Sequence, residues 1–199
     1  MLQRTPAAGM LKIKNGLDLV ICGLPEIDGA LDERVTHVLS ILDPGTEEPA
    51  SFAGLAAANL LRLRFHDVIE ELPAIDAPAA SHIAAILEFC GMLAAHEKHR
   101  ALIHCHMGIS RSTAAAIILL ADHGGDAEAA VAHVSEIRPV AWPNLRMVEL
   151  ADKLLALDQR LVRAVRRHHA KALLRRPELK EAFIRHGRAR EVEGLEEIA

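Results

Sequence analysis

Ala101-Leu102-Ile103-His104-Cys105-His106-Met107-Gly108-Ile109-Ser110-Arg111-Ser112 is the stretch that decides the fold of this 199-residue chain. The apolar run before His104 reads as the end of a strand, with Cys105 at its tip. A five-residue loop centred on Gly108 follows, and Arg111 opens an apolar helix over residues 112–121. A tight loop that runs into a helix N-terminus turns successive backbone N–H groups and the positive end of the helix toward one point, a concave site for an anion. Gly108 lets the backbone turn where a side chain would clash. Arg111 offers a planar fork matched to two oxygens of a phosphate. The same fixed positive field favours the thiolate form of Cys105. A thiolate beneath an oxyanion cradle is a nucleophile toward phosphorus.

Short apolar runs alternate with longer helix-compatible stretches, the pattern of an α/β architecture. Strands are predicted over residues 17–22, 35–42, 60–65 and 101–104. The second ends in the turn signal Asp43-Pro44-Gly45. In the third, Leu61, Leu63 and Phe65 share one face and Arg62 and Arg64 the other. Helices are predicted over residues 47–58, 79–99, 111–123, 126–137 and 145–157. Beyond residue 158 the composition changes. Seven basic residues from Arg160 to Arg176 fall without an intervening acid, over a continuing apolar stripe through Leu161 and Val165, and a mixed-charge segment follows Pro177. Residues 1–158 are therefore read as a catalytic domain and 159–199 as a helical extension. Its face either packs on the domain or serves docking or self-association as a homodimer.

Composition narrows the class. Hydrophobic residues make up 51% and charged residues 25%, as in soluble globular proteins. With 3% aromatics and no tyrosine, the core must be aliphatic. The net charge of −4 argues against a general nucleic-acid binder. Residues 1–15 lack a signal-peptide apolar region, and no run approaches the roughly 20 apolar residues of a membrane span. Three cysteines, Cys22, Cys90 and Cys105, suit a reducing compartment, so a cytoplasmic protein without membrane contact is expected. Cys22 and Cys90 read as small buried hydrophobes, and either becomes a resolving thiol only if the fold sets it beside Cys105. Twelve histidines include the pairs His104/His106 and His96/His99, but neither has the further ligands of a closed zinc site, so no metal is expected.

His-Cys, five residues, Arg and Ser together resemble the signature of the protein tyrosine phosphatase superfamily, most nearly its compact dual-specificity-like branch. The resemblance implies a mostly parallel sheet of four to five strands flanked by helices, and a cofactor-independent phosphatase. It would act through a phosphocysteine on Cys105, with residues 106–111 (His106, Met107, Gly108, Ile109, Ser110, Arg111) cradling the phosphate. By the same resemblance, the Ser112 hydroxyl assists the departing sulfur, and His104 orients the loop and helps keep the thiol ionised. His106 points either into the pocket rim or into solvent. A leaving group must also take up a proton, and this requires a general acid outside the loop. Asp67, just past the third strand at the sheet edge where ligands gather, is the leading candidate. Glu70, Glu71 and Asp76 are alternatives, and Asp43 ranks lower as a turn residue. Asn144 either braces the loop, as the resemblance implies, or caps the helix that begins at Leu145.

The expected substrate is a phosphorylated protein or peptide, with phosphate or another oxyanion held in the site. The loop carries no basic residue before Arg111, and no tyrosine exists to build a deep wall. Both features point to a shallow pocket that takes phosphotyrosine and leaves phosphoserine and phosphothreonine open. The competing readings are a non-catalytic phosphate-recognition module, a phosphatase for a non-protein phosphoester and a rhodanese-like sulfurtransferase. All candidate catalytic residues precede residue 145, so the segment from Gln159 onward is expected to be dispensable for the chemistry.

Overall fold

The computed structural model describes residues 18–94, 100–124 and 126–198. Four strands, β1 (Asp18–Gly23), β2 (His37–Leu42), β3 (Leu60–Arg64) and β4 (Arg100–Cys105), form one sheet in the order β1-β4-β2-β3. Every pairing is parallel, with Gly23 opposite Cys105 and Ser40 opposite His104. Strands covered on both faces read as continuous apolar runs, and β2 and β4 are buried at every position. Because all four strands point the same way, the segments after β2, β3 and β4 leave from one edge, and the site assembles there.

One face of the sheet carries the main core. Ile21, Leu39, Leu63, Phe65 and Ile103 pack there against helices α2 (Ala80–Ala94), α3 (Arg111–Asp122), α4 (Ala127–Ile137), α5 (Leu145–Leu154) and α6 (Arg160–Arg175). The other face is covered more thinly, by the short helix α1 (Ile27–Ala30) and the chain around Phe52. Arg111 through Ala121 of α3 are all buried. A helix apolar all round belongs in the middle of a core, and Ala114, Ala115 and Ala116 keep α3 slim enough to sit between α2, α4, α5 and the sheet. Asp126 caps α4 by accepting from Ala129 N–H at 3.2 Å.

The expected mostly parallel sheet of four to five strands is borne out, with four strands that are all parallel among the described residues. One expectation is corrected. Residues 47–58 form no α-helix, only the 3-10 turns Ala50–Phe52 and Ala57–Asn59. Pro49 lacks an N–H and Gly54 favours other conformations, so local composition outweighs a weak helical pattern. The predicted N-terminal stretch 1–15 and the pair His96/His99 lie outside the described residues. No helix among them is long and apolar enough to cross a membrane.

Buried histidines make the fold acid-sensitive. Burial holds His104 at a pKa of about 4, pushes His169 well below the usual histidine value, and lowers His133 and His168. In each case the folded-state pKa lies below the unfolded one, so the unfolded chain takes up protons first as pH falls. The stability is therefore fully present above about pH 6.5 and drains below it. His104 alone should cost about 2 kcal/mol between about pH 6.5 and pH 5. Urea midpoints measured across that range should fall steadily on the acid side, and a constant midpoint would contradict this assignment.

Candidate active site

β4 delivers Cys105 to the sheet edge, and residues 106–110 wrap above it into α3. What shapes the loop is where its carbonyls go. The His106 carbonyl accepts from Leu24 N–H at 3.0 Å, and the Ile109 carbonyl from Trp142 N–H at 2.8 Å. Arg138 donates to the Gly108 carbonyl at 3.0 Å and the Met107 carbonyl at 3.2 Å, and is itself forked onto Glu26 at 2.9 and 2.7 Å. The Ser110 carbonyl accepts from Asn144 N–H at 3.3 Å and Ala114 N–H at 3.0 Å. With the carbonyls pinned outward, planar peptides turn their N–H groups inward, over the thiol. Gly108 sits at φ +67°, where any Cβ would collide with the backbone of Cys22 and Gly23.

A cavity of about 180 Å³ opens at this point, lined by Cys105, His106, Met107, Ile109, Ser110, Arg111, Asp67, Trp142, Phe183 and Arg188. Cys105 Sγ lies 3.2 Å from the Ser112 hydroxyl. Arg111 is held by Asp43 at 2.6 Å, by the Phe65 carbonyl at 2.5 Å and by His106 Nδ1 at 2.9 Å. Its Nε is buried without an acceptor among the described residues, a donor left over for an oxyanion. Of the candidate acids, Asp67 alone lines this cavity. Glu70 pairs with Arg190 and Glu71 with Arg146, and Asp76 borders a separate groove. Asp43, ranked low as a turn residue, fills that role and also grips Arg111.

Asn144 combines both of its proposed roles. Its side-chain oxygen caps α5 by accepting from Met147 N–H at 3.0 Å, while its amide donates to Asp67 Oδ1 at 2.8 Å. His106 lines the rim with its ring against Arg111. His104 needs correction: it is fully buried beside Phe52 and neutral near pH 7, so it lends no charge to the thiol. Cys22 belongs to the core on the face of the sheet opposite the one that contains Cys105. Burial raises its pKa to about 12, so it is placed and ionised unfavourably for a resolving thiol. Cys90 is likewise raised to about 12 and is tied to the Leu119 carbonyl.

The expectation that the C-terminal segment stands apart from the chemistry disagrees with its contacts. Helix α7 (Leu179–Arg185) brings Phe183 to the cavity wall, stacked on Trp142 with ring centroids 4.1 Å apart. Trp142 is stacked on its other face by His169 of α6, also at 4.1 Å. The chain has no tyrosine, and the Trp142 and Phe183 rings supply an aromatic wall in its place. Arg188 follows, reaching Asp67 and Ser110. Nothing near Arg188 in the sequence marks it. The one pointer is Trp142, the sole tryptophan, two residues before Asn144.

No family model matches the chain. It is 34% identical over 116 residues to human dual specificity protein phosphatase 12, covering 56% of this chain and 31% of that protein. Over 46 residues it is 46% identical to mouse protein phosphatase Slingshot homolog 3, covering 23% of this chain and 7% of that one. The chain thus spans less than a third of the length of either relative. Its fold matches a mouse structure described as a putative dual specificity phosphatase complexed with zinc tungstate (TM-score 0.52, 21% identity), covering 80% of this chain and 95% of that one. With this fold around an intact Cys105-to-Ser112 signature, the chain is similar to the compact dual-specificity phosphatases in both fold and motif.

Proposed function

We propose that this protein hydrolyses phosphomonoesters on protein side chains in two displacements through a phosphocysteine on Cys105. The observation that carries the reading is one cavity holding a thiol, a ring of inward N–H groups, Arg111 and a carboxyl outside the loop. The Cys105 thiolate attacks phosphorus as the loop N–H groups and the Arg111 Nε take the equatorial oxygens, and the P–O bond to the side chain breaks. Asp67 gives its proton to the departing oxygen. Its carboxylate then accepts a proton from the water that attacks the phosphocysteine. The P–S bond breaks, and the Ser112 hydroxyl supports the sulfur as it leaves with the electron pair. Tungstate, which accompanies the mouse structure, is an oxyanion of the kind this loop suits. The aromatic wall favours an aryl phosphate, so phosphotyrosine is the first substrate to test. Cys105 must stay reduced, which accords with a cytoplasmic setting.

Substrates with poor leaving groups need the proton most. Asp67→Asn should lower kcat/KM on phenyl phosphate or a phosphotyrosine peptide by about a hundred-fold, and far less on a nitrophenyl ester. Paired rate measurements on the two ester types decide the point. Equal losses on both would move the acid elsewhere.

A further inference from the structure

We propose that Arg188, supplied by the C-terminal segment, is a positioning residue for the Asp67 carboxyl and tunes its proton transfer. The proposal rests on Asp67 being the general acid. Asp67 Oδ1 is occupied, accepting from the Ser110 hydroxyl at 2.7 Å and from Asn144 at 2.8 Å. The proton to be donated therefore belongs on Oδ2, and the group facing Oδ2 is Arg188 Nη1 at 3.3 Å.

Arg188 has little freedom to leave. It is 9% exposed, and its Nε and Nη2 fork onto Glu191, both at 2.8 Å. Nη2 also donates to the Ser110 hydroxyl at 3.0 Å, the same hydroxyl that donates to Asp67. Glu191 is fully buried and fixed in turn by Trp142 Nε1 at 2.8 Å and Leu145 N–H at 2.9 Å. This network joins the general-acid loop, the phosphate loop, the aromatic wall and the start of α5 through one guanidinium.

The electrostatic consequence has a definite sign. A cation interacts more favourably with a carboxylate than with a neutral carboxyl, and Arg188 Nη1 makes that contact at Oδ2 while fixing its direction. The other titratable or charged groups around Asp67 are Cys105, His106 and Arg111 across the same cavity, and Glu191 behind Arg188. Replacing Arg188 removes the cation that faces Oδ2 and one donor to the Ser110 hydroxyl, which keeps its own bond to Asp67.

The test is the pH dependence of kcat/KM on phenyl phosphate, whose alkaline limb falls as the general acid ionises. Arg188→Met alone strands the buried Glu191 charge, so the double variant Arg188→Met/Glu191→Gln is measured beside it and keeps the test valid if the single variant fails to fold. Both should lower the rate at the optimum through lost positioning, and the alkaline limb should move to higher pH. In an Asp67→Asn background the Arg188 and Glu191 changes should cost far less than they do with Asp67 in place. An alkaline limb that stays put in the double variant, while Asp67→Asn abolishes it, overturns this proposal and leaves the function intact. An alkaline limb that survives Asp67→Asn removes Asp67 as the acid, and this proposal with it.

Discussion

Cys105→Ser should reduce turnover of nitrophenyl phosphate by more than about a thousand-fold, since loss of a nucleophile removes the covalent path itself. A serine hydroxyl is far harder to ionise than a thiol, and no base hydrogen-bonds residue 105 among the described residues, while Asp67 must begin the reaction holding the proton it gives to the leaving group. The neighbour within reach is the Ser112 hydroxyl, 3.2 Å away. His104, directly before the nucleophile, is buried against Phe52 on the opposite face of β4, is neutral and does not line the cavity. The carbonyls that shape the loop are held by Leu24, Arg138, Trp142 and Asn144, none of which the substitution touches. Tungstate binding by the variant, measured by calorimetry, should therefore stay near the wild-type affinity. Residual turnover above about 1% of wild type in protein free of wild-type contamination would mean that the phosphoryl group is not transferred to residue 105.

What can be read from the sequence follows how far apart the interacting residues lie. Cys105, Gly108, Arg111 and Ser112 fall in one contiguous strand–loop–helix, so their spacing alone reports their geometry. Asp67 is reachable because parallel strands share an exit edge, a rule that places the residues after β3 beside those after β4. Asp43 is visible but easily undervalued. Its turn role and its grip on Arg111 are both real, and only the first is local. Residues 47–58 mislead because a short window of alanines carries helical propensity but neither a cap nor an apolar stripe long enough to enforce it. Arg188 is beyond reach. It meets Asp67 across 121 positions of sequence, in a segment whose many arginines look alike until packing buries one of them. Gly23 is a similar case. It reads as the end of a strand, yet a Cβ there would meet the Met107 carbonyl carbon at 2.9 Å, so the phosphate loop needs glycine on both sides of one contact.

That contact predicts the second large effect. Gly108→Ala should cost at least about a hundred-fold in kcat/KM, the scale of an ångström's misplacement at a reacting centre. Two separate penalties act at this position. The φ of +67° places alanine in the left-handed region, at about 1 kcal/mol. The larger penalty is steric: the new Cβ would stand 2.5 Å from the Cys22 carbonyl carbon and 2.6 Å from Gly23 N, both backbone atoms. β1 cannot yield cheaply, because it is in parallel register with β4 from Asp18 to Gly23. The loop must move instead, and Gly108 carries the carbonyl that Arg138 holds. Displacing it tilts the inward N–H groups and shifts Arg111 relative to the sulfur. Gly124→Ala separates the two penalties, since Gly124 has φ +84° but, among the described residues and apart from its chain neighbours, no atom within 4 Å of an added Cβ. That control should lose about 1 kcal/mol of stability and keep its activity. Equal losses of activity in the two variants would show that backbone strain alone, without the collision against β1, accounts for the Gly108 effect.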